Sequence, residues 1–292
     1  MAITGDTKQQ RILVAGCGAL GGRIAERLSQ HHQVFGLRRN AAAVPASVTA
    51  IGADLLAPDT LREVLPTELD AVIYCLTPGQ YDETGYRDAY VTGLDNLVQA
   101  VKRGSSPSRL IFISSTSVYH QDDDSWVNED SPTHPRKFSG QHILAGEQCA
   151  LASGIPATVV RLSGIYGPTR KRFLSSVVNG ELAPERPSPY TNRIHEEDAS
   201  RAVAHLLDKA LAGETIAQHY LVSDCEPARL DEVAEWVRQQ VPCAEPRADA
   251  RTGGRAGSKR CDNSRLRATG FEFLYPDYRA GYREMIDGPG PA

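Results

Sequence analysis

The 292-residue sequence predicts a doubly wound α/β fold, in which helices cover both faces of a parallel sheet. Short apolar runs alternate with amphipathic segments along most of the chain, and a glycine-rich turn follows the first apolar run. This alternation is typical of strand–helix–strand units. We expect the sheet to occupy residues 1–168 and to be completed by about 192–223. A smaller C-terminal substrate lobe is expected from residues 169–191 and 224–292.

Composition and charge describe an ordinary soluble globular protein. Hydrophobic residues make up 41% of the chain and charged residues 23%, and the mean hydropathy is -0.35. The net charge of -4 argues against nucleic acid or an anionic membrane as a partner. No apolar run approaches the ~18 residues of a membrane-spanning helix, and residues 1–10 lack the apolar core of a signal peptide. We therefore expect a cytoplasmic protein.

The glycine-rich turn has the G-x-G-x-x-G spacing of a dinucleotide-binding loop. Gly16 permits the tight turn, Gly18 lets the backbone approach a pyrophosphate, and Gly21 lets the next helix pack on the strand. Ala19 and Leu20 begin that helix, whose free N–H groups and dipole favour an anion. Glycine turns also occur for purely structural reasons, but here a strand precedes the motif and a helix follows it. The sheet is therefore predicted to be of the Rossmann type.

Two arginines follow the second predicted strand, at the place where this fold meets the adenosine ribose. Many NAD-binding folds carry Asp or Glu there to hold the ribose 2′-OH. Arg38 and Arg39 suggest a 2′-phosphate instead, and hence NADP(H) as cofactor before NAD(H). The alternative is a solvated basic turn.

The alternation of strands and helices continues to about residue 241. Strands are predicted at 33–37, 48–51, 71–76, 110–113, 157–162 and 219–223, and helices at 84–102, 139–153, 198–211 and 230–241. We expect residues 121–135 to form a surface loop and residues 169–190 to form an irregular part of the smaller lobe. The hydroxyl-rich run Ser114–Tyr119 follows the strand at 110–113. It therefore lies at the carboxyl edge of the sheet, where open α/β sheets bind ligands.

Cysteines and basic residues add two expectations. Six scattered cysteines lack the spacing of a zinc site, which predicts reduced, mostly buried thiols and no metal. The tail is rich in basic residues although the chain is acidic overall, and this run is either a solvated loop or a site for an anionic substrate. The basic residues are Arg247, Arg251, Arg255, Lys259, Arg260, Arg265 and Arg267.

Several short sequence motifs occur at defined places in the alternation of predicted strands and helices. They are the glycine loop, Asp54-Leu55, YVTGLDNL at 90–97, SSTSVY at 114–119, RLSGIYGP at 161–168 and NRIHEED at 192–198. As a set, covering nearly the whole chain, they resemble the extended short-chain dehydrogenases/reductases, the NAD(P)-dependent epimerase/dehydratase group. The glycine loop is one residue tighter than the G-x-x-G-x-x-G usual in that family.

The resemblance implies roles for particular residues. Asp54 would contact the adenine, and Ser115 would be the catalytic hydroxyl beside the substrate. Leu76 and Thr77 would line the cofactor, and Leu55 and Ser114 join the cofactor-binding residues by the same resemblance. Such enzymes commonly pair two long helices across a two-fold axis, which implies a homodimer through residues 84–102 and 139–153.

The family's Tyr-x-x-x-Lys pair is absent. In that pair the lysine lowers the tyrosine pKa and holds the nicotinamide ribose. Alignment on Glu147 places Ser139 and Ile143 at these positions, and a shift by one residue places Phe138 and His142 there. No other tyrosine has lysine four residues later, so the pair has not moved elsewhere in the chain.

Four residues are candidates for the missing acid–base function: Ser115, Tyr119, His142 and Tyr166. Each also has a non-catalytic interpretation, because the tyrosines are suited to packing and His142 is suited to a solvent-facing position. We therefore expect an NADP(H)-dependent oxidoreductase, a reductase of a small carbonyl or imine compound. A non-catalytic, dinucleotide-binding redox regulator and a nucleotide-sugar epimerase or dehydratase are the alternatives.

Overall fold

The computed structural model describes residues 9–253 and 257–288, and its elements follow the predicted alternation. The first part of the chain forms β1 (Arg11–Ala15), α1 (Ala19–Leu28), β2 (Gln33–Arg38), β3 (Thr49–Gly52), α2 (Pro58–Val64), β4 (Ala71–Tyr74), α3 (Glu83–Arg87), α4 (Gly93–Gly104) and β5 (Arg109–Ser115). The middle part forms β6 (Ser125–Val127), α5 (Phe138–Ala152), β7 (Ala157–Leu162), β8 (Gly164–Tyr166), α6 (Arg172–Val178), β9 (Tyr190–Thr191), β10 (Arg193–His195) and α7 (Glu196–Leu211). The last part forms β11 (His219–Val222), β12 (Ala228–Arg229), α8 (Leu230–Gln240), β13 (Lys259–Cys261), α9 (Ser264–Arg267) and α10 (Tyr278–Asp287).

The predicted parallel sheet is present. Its seven strands have the order β11-β7-β5-β4-β1-β2-β3, and β1 pairs in parallel with both β2 and β4. The chain builds outward from β1 to β3 and then returns to place β4 on the other side of β1. Connections therefore leave β1 and β4 in opposite directions, which opens a crevice at their carboxyl ends. Open α/β sheets bind ligands at such a switch point.

The described residues form two compact units. The first unit contains residues 9–113, 145–159 and 203–218. Its core is almost wholly apolar, because strands buried on both faces require apolar side chains throughout. Leu13, Phe112 and Leu97 are examples of its buried side chains.

The second unit contains residues 114–144, 160–202, 219–253 and 257–288. Its main apolar cluster joins α6, α8 and α10 through side chains such as Val177, Val233 and Tyr282. Short strand pairs complete this unit, with β6 beside β13, β8 beside β10 and β9 beside β12.

The helix predicted at 84–102 contains an irregular turn that periodicity did not predict. Residues 88–92 form a π-turn between α3 and α4. The buried Tyr74 hydroxyl donates to the Ala89 carbonyl oxygen at 2.6 Å. A Cβ at Gly93 would lie 2.8 Å from the same hydroxyl, so glycine is required where the tyrosine meets the helix. The insertion of a side chain into the helical ladder is a recognised cause of such a turn.

Three expectations from the sequence are wrong in part. The surface loop expected at 121–135 contains β6, which pairs with β13, and the irregular stretch expected at 169–190 contains α6. Both elements are short and gain their stability from tertiary contacts, which local patterns do not report. All six cysteines are unpaired, but only Cys17 and Cys261 are buried, and Cys225 is exposed.

No helix in the described part of the chain is long and apolar enough to cross a membrane.

Candidate cofactor site and active-site residues

The glycine loop joins β1 to α1 in the first unit, and Gly16 makes its sharp turn. Gly16 has a φ of +89°, and a Cβ there would lie 2.2 Å from the Cys75 carbonyl oxygen. The N–H groups of Gly16 and Cys17 donate to the Leu37 carbonyl oxygen at 2.9 and 3.0 Å. Backbone conformation and space both exclude any other residue at position 16.

Gly18 and Gly21 meet the two remaining requirements of a pyrophosphate loop. Gly18 is exposed, and a Cβ there would meet nothing nearer than 4.0 Å, so its glycine leaves open space at the helix N-terminus. A Cβ at Gly21 would lie 2.3 Å from the Gly16 carbonyl oxygen, so glycine is needed for the helix to pack on the loop. No side chain caps α1, which begins at Ala19 and turns Leu20 into the core. The loop therefore fits a dinucleotide phosphate held by backbone N–H groups.

The two arginines after β2 differ in their contacts. Arg38 Nη1 donates to the carbonyl oxygens of Ala43 at 2.9 Å and Cys17 at 3.3 Å, which ties β2 to the glycine loop. Arg39 is exposed and makes no hydrogen bond or ion pair with the described residues. Arg38 therefore supports the backbone of this site, while Arg39 presents an unpaired guanidinium.

The residues after β3 and β4 lie on the same unit. Asp54 is half-buried, and its Oδ1 accepts from the Leu56 N–H at 3.0 Å. Leu55 is buried, and its carbonyl oxygen accepts from Asn96 Nδ2 at 2.8 Å. Leu76 is half-buried against the core, and Thr77 is exposed. Both loops follow the carboxyl ends of strands of the parallel sheet, with β1 and β2 between β3 and β4, and this is the edge at which the fold binds ligands.

Ser114 and Ser115 end β5 and belong to the second unit. Ser114 is 5% exposed, whereas Ser115 is half-buried. Ser115 Oγ accepts from the Ser117 N–H at 3.1 Å and so caps the 3₁₀ turn of residues 116–118. This arrangement holds the oxygen in place and leaves the Ser115 hydroxyl hydrogen available to donate to another acceptor.

Tyr119 is engaged in a structural network. Its hydroxyl donates to the Asn128 carbonyl oxygen at 2.8 Å and accepts from Arg161 Nη1 at 3.0 Å, and the Arg161 guanidinium carbon lies 5.1 Å from the ring centroid. Burial raises the pKa of Tyr119 to about 12, against the opposing effect of Arg161. The hydroxyl therefore stays protonated and is committed to these two partners.

Tyr166 lies deep in the second unit. It is 4% exposed, and a Cβ at Gly281 would lie 2.0 Å from its hydroxyl oxygen, so α10 packs directly on it. Its ring centroid is 4.6 Å from that of Tyr282 and 5.3 Å from that of His195. Burial raises its pKa. Each of these contacts serves packing.

Helix α5 carries the positions of the missing pair. Ser139 and His142 are half-buried, whereas Ile143 is 4% exposed and Glu147 is 1% exposed. On the alignment through Glu147, the position of the lysine is taken by the apolar, buried Ile143, and on the alignment shifted by one residue it is taken by His142. Nothing on this helix reproduces a phenolate beside a fixed cation.

The basic tail is largely used for internal contacts, which sequence reasoning missed. Lys259 is buried, and Arg265 Nη2 pairs with Asp130 Oδ2 at 2.6 Å. Arg265 Nε also lies 3.5 Å from the buried Glu129 carboxylate, whose pKa is raised by burial. Arg255 lies outside the described residues. The two acidic partners of Arg265, Glu129 and Asp130, lie in the predicted surface loop. Their acidic character was the only sequence signal for these contacts.

No group of side chains with the make-up of a metal site occurs within residues 9–253 and 257–288. The fold and the glycine loop together define a dinucleotide-binding α/β protein whose cofactor phosphate would lie at the N-terminus of α1.

The chain belongs to the NAD-dependent epimerase/dehydratase family, whose family model matches residues 12–229. A solved structure from Methylobacillus flagellatus, described as a candidate NAD-dependent epimerase/dehydratase, is 33% identical, with a TM-score of 0.80 and coverage of 96% of this chain and 98% of that one. The expected family and the Rossmann-type fold are thereby confirmed. The chain is an enzyme of the short-chain dehydrogenase/reductase superfamily, and the family's cofactor is a nicotinamide dinucleotide.

Two curated relatives match over shorter spans. A UDP-glucose 4-epimerase from Streptomyces lividans is 27% identical over 180 residues, which cover 54% of this chain and 53% of the relative. A GDP-6-deoxy-D-mannose reductase from Pseudomonas aeruginosa is 30% identical over 158 residues, which cover 50% of this chain and 52% of the relative. The chain thus spans about half the length of the curated relatives it matches.

Proposed function

We propose that the protein is an NADP(H)-dependent reductase that delivers hydride to a carbonyl or imine carbon. One observation carries this proposal. The glycine loop keeps the steric features needed to hold a dinucleotide, whereas neither alignment of α5, Ser139 with the buried Ile143 or Phe138 with His142, supplies the tyrosine and lysine of the pair. The chain therefore retains the binding apparatus of its family and lacks the family's base.

The loss of that base favours reduction over epimerisation. An epimerase must first oxidise a substrate hydroxyl, and this requires a group that removes its proton. Tyr119 and Tyr166 are poorly suited to this task because burial raises the pKa of each. The bound cofactor would supply hydride, and a reduction then needs a hydrogen-bond donor at the acceptor atom and one proton, which water can supply, to complete the alcohol or amine. We assign that role to the Ser115 hydroxyl, which the Ser117 N–H holds in place.

We also propose NADP(H) over NAD(H). Arg39 has no partner among the described residues and follows β2, where the ribose 2′ position of a dinucleotide lies in this fold. A guanidinium there matches the geometry and charge of a 2′-phosphate.

Deuteride transfer from labelled NADPH tests the proposed reaction. The substrate panel comprises small aldehydes and ketones, imines, nucleotide-linked keto sugars and nucleotide sugars. We expect deuterium in a product alcohol or amine, with one NADPH consumed for each product formed. An epimerised product without net NADPH consumption would contradict the proposal, and tight NADPH binding without transfer to any class would favour a non-catalytic regulator.

A nucleotide-sugar epimerase or dehydratase is the second candidate. The observation in its favour is that curated relatives of the chain include a UDP-glucose 4-epimerase. The keto-sugar arm of the panel separates it from the reductase, because a reductase converts the ketone directly whereas an epimerase requires the alcohol as its starting material.

We further propose a cytoplasmic homodimer. The six unpaired cysteines fit a reducing compartment. For the dimer, the support is the analogy with enzymes that pair the helices predicted at 84–102 and 139–153. A monomer mass by light scattering at micromolar concentration would contradict the dimer.

A further inference from the structure

Arg260, one of the basic residues of the tail, lies between two aromatic rings in the second unit. Its guanidinium carbon is 5.0 Å from the centroid of the Trp126 ring and 5.3 Å from that of the Tyr190 ring. Its Nε donates to the Asp124 carbonyl oxygen at 2.8 Å. Three separate contacts thus define the position and plane of this guanidinium. We call Arg260 with Trp126 and Tyr190 the arginine fork.

Strand pairing builds the fork. Trp126 on β6 and Arg260 on β13 are direct partners in a parallel register. Tyr190 on β9 is held beside them because its N–H donates to Ser258 Oγ at 2.8 Å, and Ser258 precedes β13. Backbone contacts therefore fix all three side-chain origins, and little ordering remains to be done when a ligand binds.

The Asp124 carboxylate attracts the Arg260 guanidinium electrostatically, but its hydrogen bonds go to other partners. Asp124 Oδ2 accepts from Arg229 Nη2 at 2.7 Å, and Asp124 Oδ1 accepts from the Ser258 hydroxyl. The Arg229 guanidinium carbon in turn lies 4.2 Å from the Tyr190 ring centroid. Within the described ranges, no ion pair joins Arg260 to an acidic side chain.

The two terminal nitrogens of Arg260 are the chemically available part of the fork. Neither Nη1 nor Nη2 makes a hydrogen bond with the described residues, and neither is among the buried polar atoms, so both reach solvent. A guanidinium edge with two parallel N–H groups matches the two oxygens of a carboxylate or phosphate. Trp126 beside it is 55% exposed and offers a flat apolar surface.

We propose that the arginine fork is a binding site for an oxyanion, either a carboxylate or a phosphate, carried by a ligand whose flat ring lies on Trp126. The site requires neither cofactor nor turnover, so its test is independent of the proposed reductase activity. The proposal also gives a role to Arg260, which forms no ion pair with the described residues, whereas Arg265 of the same tail pairs with Asp130.

Tryptophan fluorescence provides the test. Trp126 and Trp236 are the two tryptophans of the chain, so Trp236→Phe makes Trp126 the sole reporter. In this background, phenyl phosphate, benzoate and inorganic phosphate are titrated without cofactor. We expect saturable changes with phenyl phosphate or benzoate, and the preference between these two identifies the oxyanion. Phenyl phosphate should bind more tightly than inorganic phosphate because only the former covers the indole.

Variants of Arg260 and a matched arginine complete the experiment. Arg260→Gln should weaken probe binding by about tenfold or more, and Arg260→Lys should also weaken it because an ammonium lacks the bidentate edge. Arg267→Gln removes an exposed arginine of the same tail and should leave binding unchanged. Circular dichroism verifies that each variant is folded.

Three results would overturn the proposal. They are the absence of a saturable change with every probe, unchanged affinity in folded Arg260→Gln, and an equal loss in Arg267→Gln, which would indicate general attraction to positive charge. Equal affinity for phenyl phosphate and inorganic phosphate would remove Trp126 from the site.

Discussion

The two units of this protein differ in what they bury. Among the described residues, the first unit buries few polar side chains, such as Glu147 and Thr158. The second unit buries many polar side chains, and several of them are charged. Its buried polar and charged side chains include Glu129, Arg161, Arg193, His195, Asp198, Asp224, Lys259 and Asn263.

This difference separates two ways of making a functional site. In the first unit an apolar core positions backbone groups, so binding depends on the space at Gly16, Gly18 and Gly21 and on the free N–H groups at the start of α1. In the second unit buried polar side chains position one another, as Arg161 positions Tyr119. Substitutions should therefore act through steric fit in the first unit and through chemistry and protonation in the second.

The largest effect is expected at Gly16. Gly16→Ala places a methyl group 2.2 Å from the Cys75 carbonyl oxygen and requires a φ of +89°. We expect a loss of roughly 2–5 kcal/mol in the free energy of unfolding, together with loss of NADPH binding. Urea unfolding and calorimetric titration measure the two effects.

Gly213→Ala is the matched control for Gly16→Ala. Gly213 has a similar φ of +82°, but a Cβ there meets nothing within 4 Å. Gly213→Ala should therefore lower the free energy of unfolding only by the conformational strain, about 1–2 kcal/mol. If both substitutions cost the same, steric fit at the loop is not what constrains position 16.

Ser115 tests the chemical side of the comparison. Ser115→Ala removes the proposed donor to the acceptor atom and should reduce turnover by about a hundredfold or more, with unchanged NADPH affinity. Steady-state kinetics and cofactor titration measure these quantities. Thr116→Ala changes the adjacent hydroxyl residue and should have little effect on turnover. Full activity in Ser115→Ala would place the reaction at other residues.

Restoring the family residues tests whether the site can be rebuilt. The double variant Ser139→Tyr, Ile143→Lys should not simply add activity, because the buried Ile143 leaves no solvated space for an ammonium. Increased turnover in this variant would show that the missing pair alone limits catalysis.

Substitutions of the two arginines that end and follow β2 should distinguish binding of the cofactor phosphate from support of the glycine loop. Arg39→Ala should reduce the preference for NADPH over NADH by about tenfold or more, because it removes a charge-assisted contact to the 2′-phosphate. Arg38→Ala breaks the hydrogen bonds to the Cys17 and Ala43 carbonyl oxygens, so it should also lower the free energy of unfolding. Calorimetric titration with both cofactors provides the measurement. Equal affinities of the wild type for NADPH and NADH would rule out the proposed preference.

The smallest effect concerns the pH dependence of stability at His195. Its Nδ1 accepts from the Glu197 N–H at 3.3 Å, and its Nε2 lies 3.0 Å from Glu284 Oε2. Burial lowers the pKa of His195 below 6.5, although Glu284 opposes this shift. Below pH 6.5 the unfolded chain binds a proton that the folded chain does not. The stabilisation present above this pH is therefore lost as the pH falls toward the folded-state pKa.

Urea unfolding at several pH values checks this sign. His195→Gln should reduce the dependence of stability on pH below 6.5, whereas His31→Gln at an exposed position of the first unit should leave it unchanged. An unaltered profile in His195→Gln would show that the acid response arises at other groups.

Local sequence was enough to determine the dinucleotide loop and the alternation of strands and helices. Gly21 is required by its contact with the Gly16 carbonyl oxygen five residues earlier, and periodic apolar residues report burial along one element. The chemistry of such elements depends on neighbours a few residues apart. That is why the fold class and the loop were predictable.

Only the tertiary structure decided which polar residues are available. Tyr119 is committed to Asn128 and Arg161, and Arg260 lies on Trp126, because strands far apart in the chain bring these side chains together. No periodicity encodes which side chain will meet another across a sheet or loop. The sequence by itself thus determined the cofactor-binding framework, whereas long-range packing decided which hydroxyls and cations remain free for chemistry.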